Sequence, residues 1–274
     1  MRHPATGVLL GVVLALVLGL DPPAAADRGG PSPAGEVLPV LGAARAVDLT
    51  HAIDEKTPHW PGARYHPFRR ETIATLGEDG VFSETFCLPA HLGTHIDAPN
   101  HFVAGRRAVD DLPVEHQAGE AVVIDISARV AEDPDALLTP ADLAAFEKAH
   151  GAIPKEAIVL IRTGWAGRAG DLAAYAARDD EGRMHFPGLS LEAATLLSER
   201  PVRGVGIDTL SIDRGLSTGF EAHKTLAAAE IYVLENLNER LADLPPRGAL
   251  LVALPMKVRG GSGGPCRVVA WVPR

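Results

Sequence analysis

Two apolar runs with a helix signal between them decide the fold: EAVVIDIS at 120–127 and AIVLIRT at 157–163. Each run is almost continuously apolar, which is typical of a strand buried on both faces of a sheet. Between them, TPAD at 139–142 supplies an N-cap, a proline at the first helical position and an acid in the first turn. The sequence therefore predicts a strand, a helix that ends at Gly151, and a second buried strand.

The same two signals recur along the rest of the chain. Ser190 begins a predicted helix that Pro201 stops, and an alanine-rich helix is predicted over 221–230. Strands outnumber helices, and neither an internal repeat nor a linker divides them, so one mixed α/β sheet domain is predicted. A doubly wound nucleotide-binding fold is disfavoured because no glycine-rich fingerprint follows the first strand. The other strand-like runs lie at 44–53, 81–88, 202–209, 231–237, 249–258 and 266–272.

The beginning of the chain differs from the rest. A basic start, an apolar run over 7–20 and small residues at 24–26 are typical of a secretory signal peptide. We therefore predict a cleaved signal peptide at 1–26, a disordered polar lead-in at 27–36 and a single domain at 37–274. This predicts an exported protein, periplasmic or extracellular; an uncleaved anchor at the membrane interface is the alternative.

Charge and cysteine content limit the partners. A net charge of −9 disfavours nucleic acid, whose binding needs Lys and Arg against phosphate. We expect a small-molecule substrate, and no membrane contact once the signal peptide is removed. Cys87 and Cys266 could pair in an exported protein or lie buried as small apolar residues. Neither belongs to a C-x-x-C pair, which disfavours a thiolate zinc site.

Three histidines and one aspartate are crowded into HLGTHIDAPNH, at 91–101. Glycine, threonine and proline make a helix poor here, so a strand end that turns into a loop is predicted. In extended backbone His95 and Asp97 point to the same side, and Gly93 lets the chain bend so that His91 joins them. Two imidazoles and a carboxylate are a common ligand set for Zn, Mn or Fe.

A second polar cluster lies downstream. His223 precedes Glu235 by twelve residues, and Glu235 falls within the apolar run IYVLENL. An ionised carboxylate there is costly unless it is paired or bound to a cation. A metal ion meets that need; an ion pair between Glu235 and an arginine is the alternative.

The stretch at 91–101 resembles the H-x-G-T-H-x-D-x-P-x-H signature of the cyclase family of metal-dependent hydrolases, which includes bacterial kynurenine formamidase and isatin hydrolase. The resemblance continues through WPG at 60–62, GIDTLSID at 206–213, the His/Glu cluster at 223–236 and GGSGGPCRVVA at 260–270. These segments follow the family's order and cover most of the predicted domain. The resemblance implies a compact β/β/α swivelling-domain fold in a homodimer or homotetramer.

The resemblance also implies a role for each polar residue. One or two divalent ions, Zn or Mn, would be held by a shared set of ligands. Asp97 would reach both ions, and Glu235 would contact one or both. The general acid/base would be His101, and Trp60 would line the substrate pocket. The implied ligands are His91, His95 and Asp97 for the first ion and His223 for the second.

The chemistry that this set implies is hydrolysis. A bound metal ion lowers the pKa of water from about 15.7 to about 7 and polarises a carbonyl, and a histidine can carry a proton to the leaving nitrogen. We predict cleavage of the C–N amide bond of a small formamide, lactam or cyclic imide-like substrate, isatin-like or an arylformamide. The alternatives are a non-catalytic periplasmic metal-binding protein and a metal-dependent lyase or cyclase.

Several other features carry less chemistry. No G-x-S-x-G elbow supports a serine hydrolase. Asp208 and Asp213 are interpreted as turn supports rather than partners of the ligands, and the GGSGG run at 260–264 as a flexible turn beside the pocket. His59 and His66 flank the Trp60 turn and are the remaining histidines that could touch substrate. The segment at 166–188 is an addition to the family pattern, predicted to shape the substrate mouth or a subunit contact.

Overall fold

The computed structural model describes residues 39–274. The predicted signal peptide at 1–26 and lead-in at 27–36 lie outside the described residues, so export stays a prediction. Within the described part of the chain, no helix has the length and apolar content to cross a bilayer.

From residue 45 to the end of the described chain there are twelve strands and five α-helices, with short 3-10 turns between them. The strands are β1 (Arg45–Asp48), β2 (Arg69–Ala74), β3 (Ser83–Cys87), β4 (His95–Asp97), β5 (Ala118–Asp125), β6 (Leu137–Leu138), β7 (Ile158–Arg162), β8 (Gly188–Leu189), β9 (Gly204–Ile207), β10 (Tyr232–Glu235), β11 (Ala249–Pro255) and β12 (Gly263–Val272). The helices are α1 (Ser127–Val130), α2 (Pro140–His150), α3 (Leu172–Ala176), α4 (Leu191–Ser198) and α5 (Glu221–Ala228).

The main sheet closes on itself because its longest strand has two partners along one edge. Its strand order is β1-β12-β11-β5-β7-β9-β10-β4, and β4 also pairs with β12. The first residues of β12, from Gly263 to Pro265, pair with β4, whereas its last residues pair with β1. The strands from β12 round to β4 therefore form a barrel, and β1 lies outside the ring. Closure satisfies the backbone groups that an open sheet edge would expose.

The central strands bury both faces. β5, β7, β9 and β10 are parallel neighbours, and helices connect them. In β7, Val159 and Ile161 pack toward the helices, whereas Ile158 and Leu160 pack inside the barrel. This alternation explains why the apolar runs at 120–127 and 157–163 show no polar face.

The structure confirms the predicted fold class, a single mixed α/β domain. All eight predicted strands and all three predicted helices form, and the Thr139–Asp142 capping box and the positive φ of Gly151 bound α2 as expected. Sequence reasoning missed the short or polar elements β2, β4, β6, β8, α1 and α3. These lack an apolar period of their own, and tertiary pairing decides them.

The structure decides two further local points. HLGTHIDAPNH contains extended backbone that ends in a turn, as predicted, but His95–Asp97 is a strand of its own, β4, held between β10 and β12, and not the end of β3. Neither cysteine forms a disulfide among the described residues: Cys266 is buried, but Cys87 is exposed on β3. The interpretation as two buried apolar residues therefore holds for Cys266 alone.

Candidate metal centre

Two neighbouring strands bring three acidic and imidazole side chains to one face of the barrel. β4 and β10 are antiparallel, and their register places His95 directly opposite Glu235. Residues opposite each other share a face, and Asp97, two positions along β4, shares it too. All three side chains are buried, with 2–4 % of their surface exposed.

A helix and an aspartate bring His223 to the same point. Asp213 accepts hydrogen bonds from the backbone N–H groups of Ala222 and His223, and so caps the start of α5. Its Oδ2 also lies 2.7 Å from Nδ1 of the His223 imidazole. The interpretation of Asp213 as a turn support is therefore wrong: it orients a residue of the centre. The Asp208 carboxylate, in contrast, accepts its hydrogen bonds within the described residues from Thr163 and from the Gly164 N–H. Asp208 therefore supports the turn after β7.

Asp97 faces three imidazoles, and Glu235 faces two. Asp97 Oδ1 lies 2.5 Å from His91 Nδ1 and 3.1 Å from His95 Nε2, and its Oδ2 lies 3.1 Å from His223 Nε2. Glu235 Oε1 lies 3.0 Å from His223 Nε2, and its Oε2 lies 3.5 Å from His95 Nε2. Arginine is absent from these contacts within the described residues. The alternative of a Glu235–arginine ion pair is wrong.

The tautomers of the His95 and His223 imidazoles, which their hydrogen bonds fix, indicate that a cation fits this centre. The Gly93 carbonyl can only accept, so His95 Nδ1 donates to it at 2.8 Å and leaves the Nε2 lone pair facing two carboxylates. That Nε2 is buried and has no hydrogen-bond partner among the described residues. His223 repeats the pattern, since its Nδ1–H donates a hydrogen bond to the Asp213 carboxylate. Imidazole lone pairs and carboxylate oxygens that converge on one point form a ligand set for a divalent metal ion. The hydrogen bonds from the Nδ1 atoms to Gly93 and Asp213 are of the kind that orients metal-binding histidines.

The negative charge of the centre also perturbs its titration. Burial lowers the pKa of His95, but the carboxylates of Asp97 and Glu235 outweigh it and raise that pKa to about 9. Burial likewise raises the pKa of Asp97, but the neighbouring imidazoles outweigh it and hold that pKa well below its ordinary value. The centre therefore attracts positive charge, and bound protons compete there with a metal ion.

His101 lies beside the centre on a short 3-10 turn, Pro99–His101. Its ring stacks on that of His91, with ring centroids 3.9 Å apart. Burial lowers the pKa of His101 to about 4, and Asp97 offsets only part of this effect. Two sets of side chains lie close enough to bind a metal ion. The first consists of His91, Asp97 and His101, and the second of His95, Asp97 and Glu235. They share Asp97.

The centre lies at the base of a cavity of about 290 Å³. Four aromatic rings line its wall, those of Trp60, Tyr65, Phe102 and Phe220. The structure therefore brings Trp60 together with all six predicted polar site residues. His59 also lines the cavity, whereas His66 lies at the surface, near Cys87.

Ser262 and Gly263 give the GGSGG run a role that the sequence did not predict. The Ser262 hydroxyl lies 2.9 Å from His91 Nε2. Gly263 is the first residue of β12, and a side chain there would meet the His91 ring at 2.8 Å and the Ile96 carbonyl oxygen at 2.3 Å. The interpretation of this run as a flexible turn is therefore wrong for Gly263, which leaves space for a residue of the centre.

The segment at 166–188 contacts the turn that carries Trp60, although none of its residues lines the cavity. The Arg178 guanidinium donates to the Pro61 carbonyl at 3.3 Å, within the turn that carries Trp60. Tyr175 packs in the same apolar cluster against which Trp60 lies, and its hydroxyl donates to the Asp208 carbonyl. Both predicted roles for this segment, shaping the substrate mouth and forming a subunit contact, stay predictions.

Comparison with known proteins defines the class of protein that this barrel and centre represent. The model of the Cyclase family, described as "Putative cyclase", matches residues 47–214. An isatin hydrolase from Roseibium aggregatum is 34% identical over 253 residues, which covers 85% of this chain and 94% of that protein. A kynurenine formamidase from Salinibacter ruber is 29% identical over 223 residues, 81% of this chain and 95% of that protein.

Solved structures agree with this match. Isatin hydrolase A from Ralstonia solanacearum superposes with a TM-score of 0.81 at 37% identity, covering 90% of this chain and 100% of that one. An isatin hydrolase bound to the product analogue thioisatinate superposes with a TM-score of 0.81 at 30% identity, covering 99% and 100%. The chain belongs to the Cyclase family. The predicted enzyme class, a hydrolase that depends on a divalent metal, is confirmed.

Proposed function

We propose that this enzyme hydrolyses the C–N amide bond of a small formamide, lactam or cyclic imide-like substrate, of the isatin or arylformamide type. The observation that carries the proposal is the direction of the Nε2 lone pairs of His95 and His223. Both point at shared carboxylates at the base of an aromatic-walled cavity. The relatives named isatin hydrolase and kynurenine formamidase support the substrate class.

The donor set suits Zn or Mn, and it supports two ions. Asp97 and Glu235 each present one oxygen toward His95 and the other toward His223. A carboxylate that faces two imidazoles in this way can bridge two ions. We propose His91, His95 and Asp97 as ligands of one ion and His223 of the other, with Asp97 and Glu235 shared.

The protein's own groups supply the rest of the chemistry. A divalent ion held at this centre polarises the scissile carbonyl and lowers the pKa of water. His101 lies against His91 and is neutral at pH 7, so it can take a proton from the attacking water and return it to the leaving nitrogen. The C–N bond breaks, a carboxylic acid forms from the carbonyl carbon, and the nitrogen leaves as an amine.

Metal dependence tests the proposal directly. The mature protein is assayed with isatin and with N-formylkynurenine before and after exhaustive chelation, with bound metal measured in parallel. We expect turnover of at least one substrate, its loss with the metal, and its return on addition of Zn or Mn. Activity that survives complete metal removal would contradict the mechanism.

A His101→Ala variant separates proton transfer from metal binding. We expect it to keep its metal and to lose turnover by about 10²–10⁴-fold, the usual contribution of a general acid/base. His150→Ala, at the exposed end of α2, is the matched control and should change neither quantity. Loss of metal in step with activity would instead make His101 a ligand.

Two other readings of the same centre are separable. A non-catalytic metal-binding protein would show metal without turnover, and the aromatic cavity above the centre argues against it. A lyase or cyclase would use the same ion without consuming water. Product analysis in ¹⁸O-labelled water distinguishes the latter, because only hydrolysis places solvent oxygen in the product acid.

A further inference from the structure

Phe220 has a backbone conformation and a position that local rules disfavour. It is the N-cap residue of α5, with φ 52° and ψ 48° in the left-handed region. Side chains other than glycine are strained there. Its side chain also lacks the oxygen with which Ser, Thr, Asp or Asn would cap a helix. Local preference therefore does not explain a phenylalanine at this position.

The surrounding residues hold Phe220 in this strained state and perform the capping themselves. Asp213 accepts from the free N–H groups of Ala222 and His223 in the first turn. The Phe220 N–H donates to the Ser217 hydroxyl at 3.2 Å, and that hydroxyl donates to the Glu221 carboxylate at 3.1 Å. Because α5 is capped without the Phe220 side chain, helix formation gives no reason for the strain.

The ring of Phe220 joins the aromatic wall of the cavity. Its centroid lies 5.7 Å from that of Trp60, 5.4 Å from that of Phe102 and 6.1 Å from that of His223. Phe102 in turn stacks on the His223 imidazole at 4.2 Å. Phe220 thus contacts the rings of Trp60, Phe102 and His223, so that this part of the wall runs from the turn that carries Trp60 to the metal centre.

We infer that Phe220 is a specificity-determining residue that holds the aryl ring of the substrate against this wall; the inference rests on the proposed amide hydrolysis. Ring centroids less than 6 Å apart leave no slot for a substrate ring between Trp60 and Phe220. A planar ring must instead pack on the cavity side of the wall, in offset or tilted contact. A saturated ring has no such contact and is thicker. A residue that violates local backbone and capping preferences is typical of a functional site, and this is consistent with a substrate-binding role for Phe220.

Matched substrate pairs test this inference. Isatin is compared with octahydroindole-2,3-dione, and formanilide with N-cyclohexylformamide. Because an aryl amine is also the better leaving group, the deciding readout is the change in aryl preference between variant and wild type, in which this intrinsic difference cancels. We expect the wild-type protein to prefer the aryl member of the pair that it hydrolyses. Phe220→Leu should reduce that preference about tenfold, mostly through KM, with metal content unchanged. Phe220→Tyr should retain the preference, and Val114→Ala, at an exposed apolar residue that does not line the cavity, should leave it intact.

A second measurement tests the strain. Phe220→Gly and Phe220→Ala both remove the ring, but only glycine relieves the left-handed backbone, so the glycine variant should have the higher melting temperature. Failure of the wild-type protein to hydrolyse either aryl amide would contradict the proposed function itself. A wild-type protein without aryl preference, or a Phe220→Leu variant that keeps the preference, would overturn the inference about Phe220 alone.

Discussion

Asp213 determines how His223 presents its lone pair. Its carboxylate accepts a hydrogen bond from Nδ1–H at 2.7 Å, so that Nε2 faces Asp97 and Glu235 without that proton. An amide at position 213 would offer a donor in place of one acceptor oxygen and would favour the other tautomer. We expect Asp213→Asn to weaken metal affinity about 10–100-fold, as for other outer-shell partners of ligand histidines.

Competition with a chromophoric chelator measures that affinity. Asp179→Asn is the matched control, because Asp179 also binds a histidine, His185, but away from the cavity. Its metal affinity should equal that of the wild-type protein. An unchanged affinity in Asp213→Asn would show that the tautomer of His223 does not depend on Asp213.

At the scale of elements, α2 begins with a capping box that also forms an ion pair. Asp142 accepts from the Thr139 N–H at 2.7 Å and pairs with Arg129 through both oxygens. Burial raises the pKa of Asp142, but the hydrogen bonds from Arg129 and Thr139 outweigh it and lower that pKa in the folded protein. A depressed folded-state pKa contributes stability above the unfolded value, about 3.9, and that stability is lost as pH falls through the folded value.

We therefore expect Asp142→Ala to lower the free energy of unfolding by about 1 kcal/mol at pH 7, a typical cost for losing a helix cap. The difference from the wild-type protein should shrink as the pH falls below about 4, where the Asp142 carboxyl takes up a proton. Urea unfolding at several pH values measures both. Asp180→Ala, at an exposed position, should show neither effect; a difference for Asp142→Ala that is independent of pH would contradict the prediction.

The start of α2 could be predicted from the sequence and the strand β4 could not, for a physical reason. The capping box of α2 is readable at 139–142 because its partners are three residues apart. β4 is not readable, because a three-residue strand has no period, and its partners β10 and β12 lie far from it in the sequence. Elements bounded by local contacts are therefore predictable, and those bounded by distant strands are not.

At the scale of the whole molecule, the metal centre joins β4, β10 and α5, so a bound ion should stabilise the domain. Binding to the folded state alone adds about 2.7 kcal/mol at a concentration a hundred times Kd. For a domain of this size that corresponds to a rise in melting temperature of about 5–10 °C. Thermal unfolding of the chelated protein with added Zn or Mn measures it. His95→Ala should show little rise; an equal rise would place the ion elsewhere.

The β2–β3 hairpin carries the clearest sign of self-association. A two-stranded sheet alone is marginally stable in water, and this one exposes more than half of the side chains of Ile73, Leu76, Val81, Phe82 and Phe86. The homodimer or homotetramer stays a prediction, and we expect a second copy to cover this surface. Light scattering should show a lower mass for Phe82→Glu. Val114→Glu, at an equally exposed apolar residue elsewhere, is the control; equal masses for both variants would rule out the hairpin.

Composition and spacing by themselves determined the α/β class and the group of side chains that forms the centre. His91, His95, Asp97 and His101 lie within eleven residues, and Glu235 is an acid inside an apolar run, so short-range pattern identifies them. The tertiary structure alone decided how these side chains are oriented. Three further residues act on groups that only the fold brings to them. Asp213 accepts a hydrogen bond from the His223 imidazole, Gly263 leaves space for the His91 ring, and Phe220 joins the aromatic wall. Their roles depend on distance and direction between separate elements, which a linear pattern of residue types does not contain.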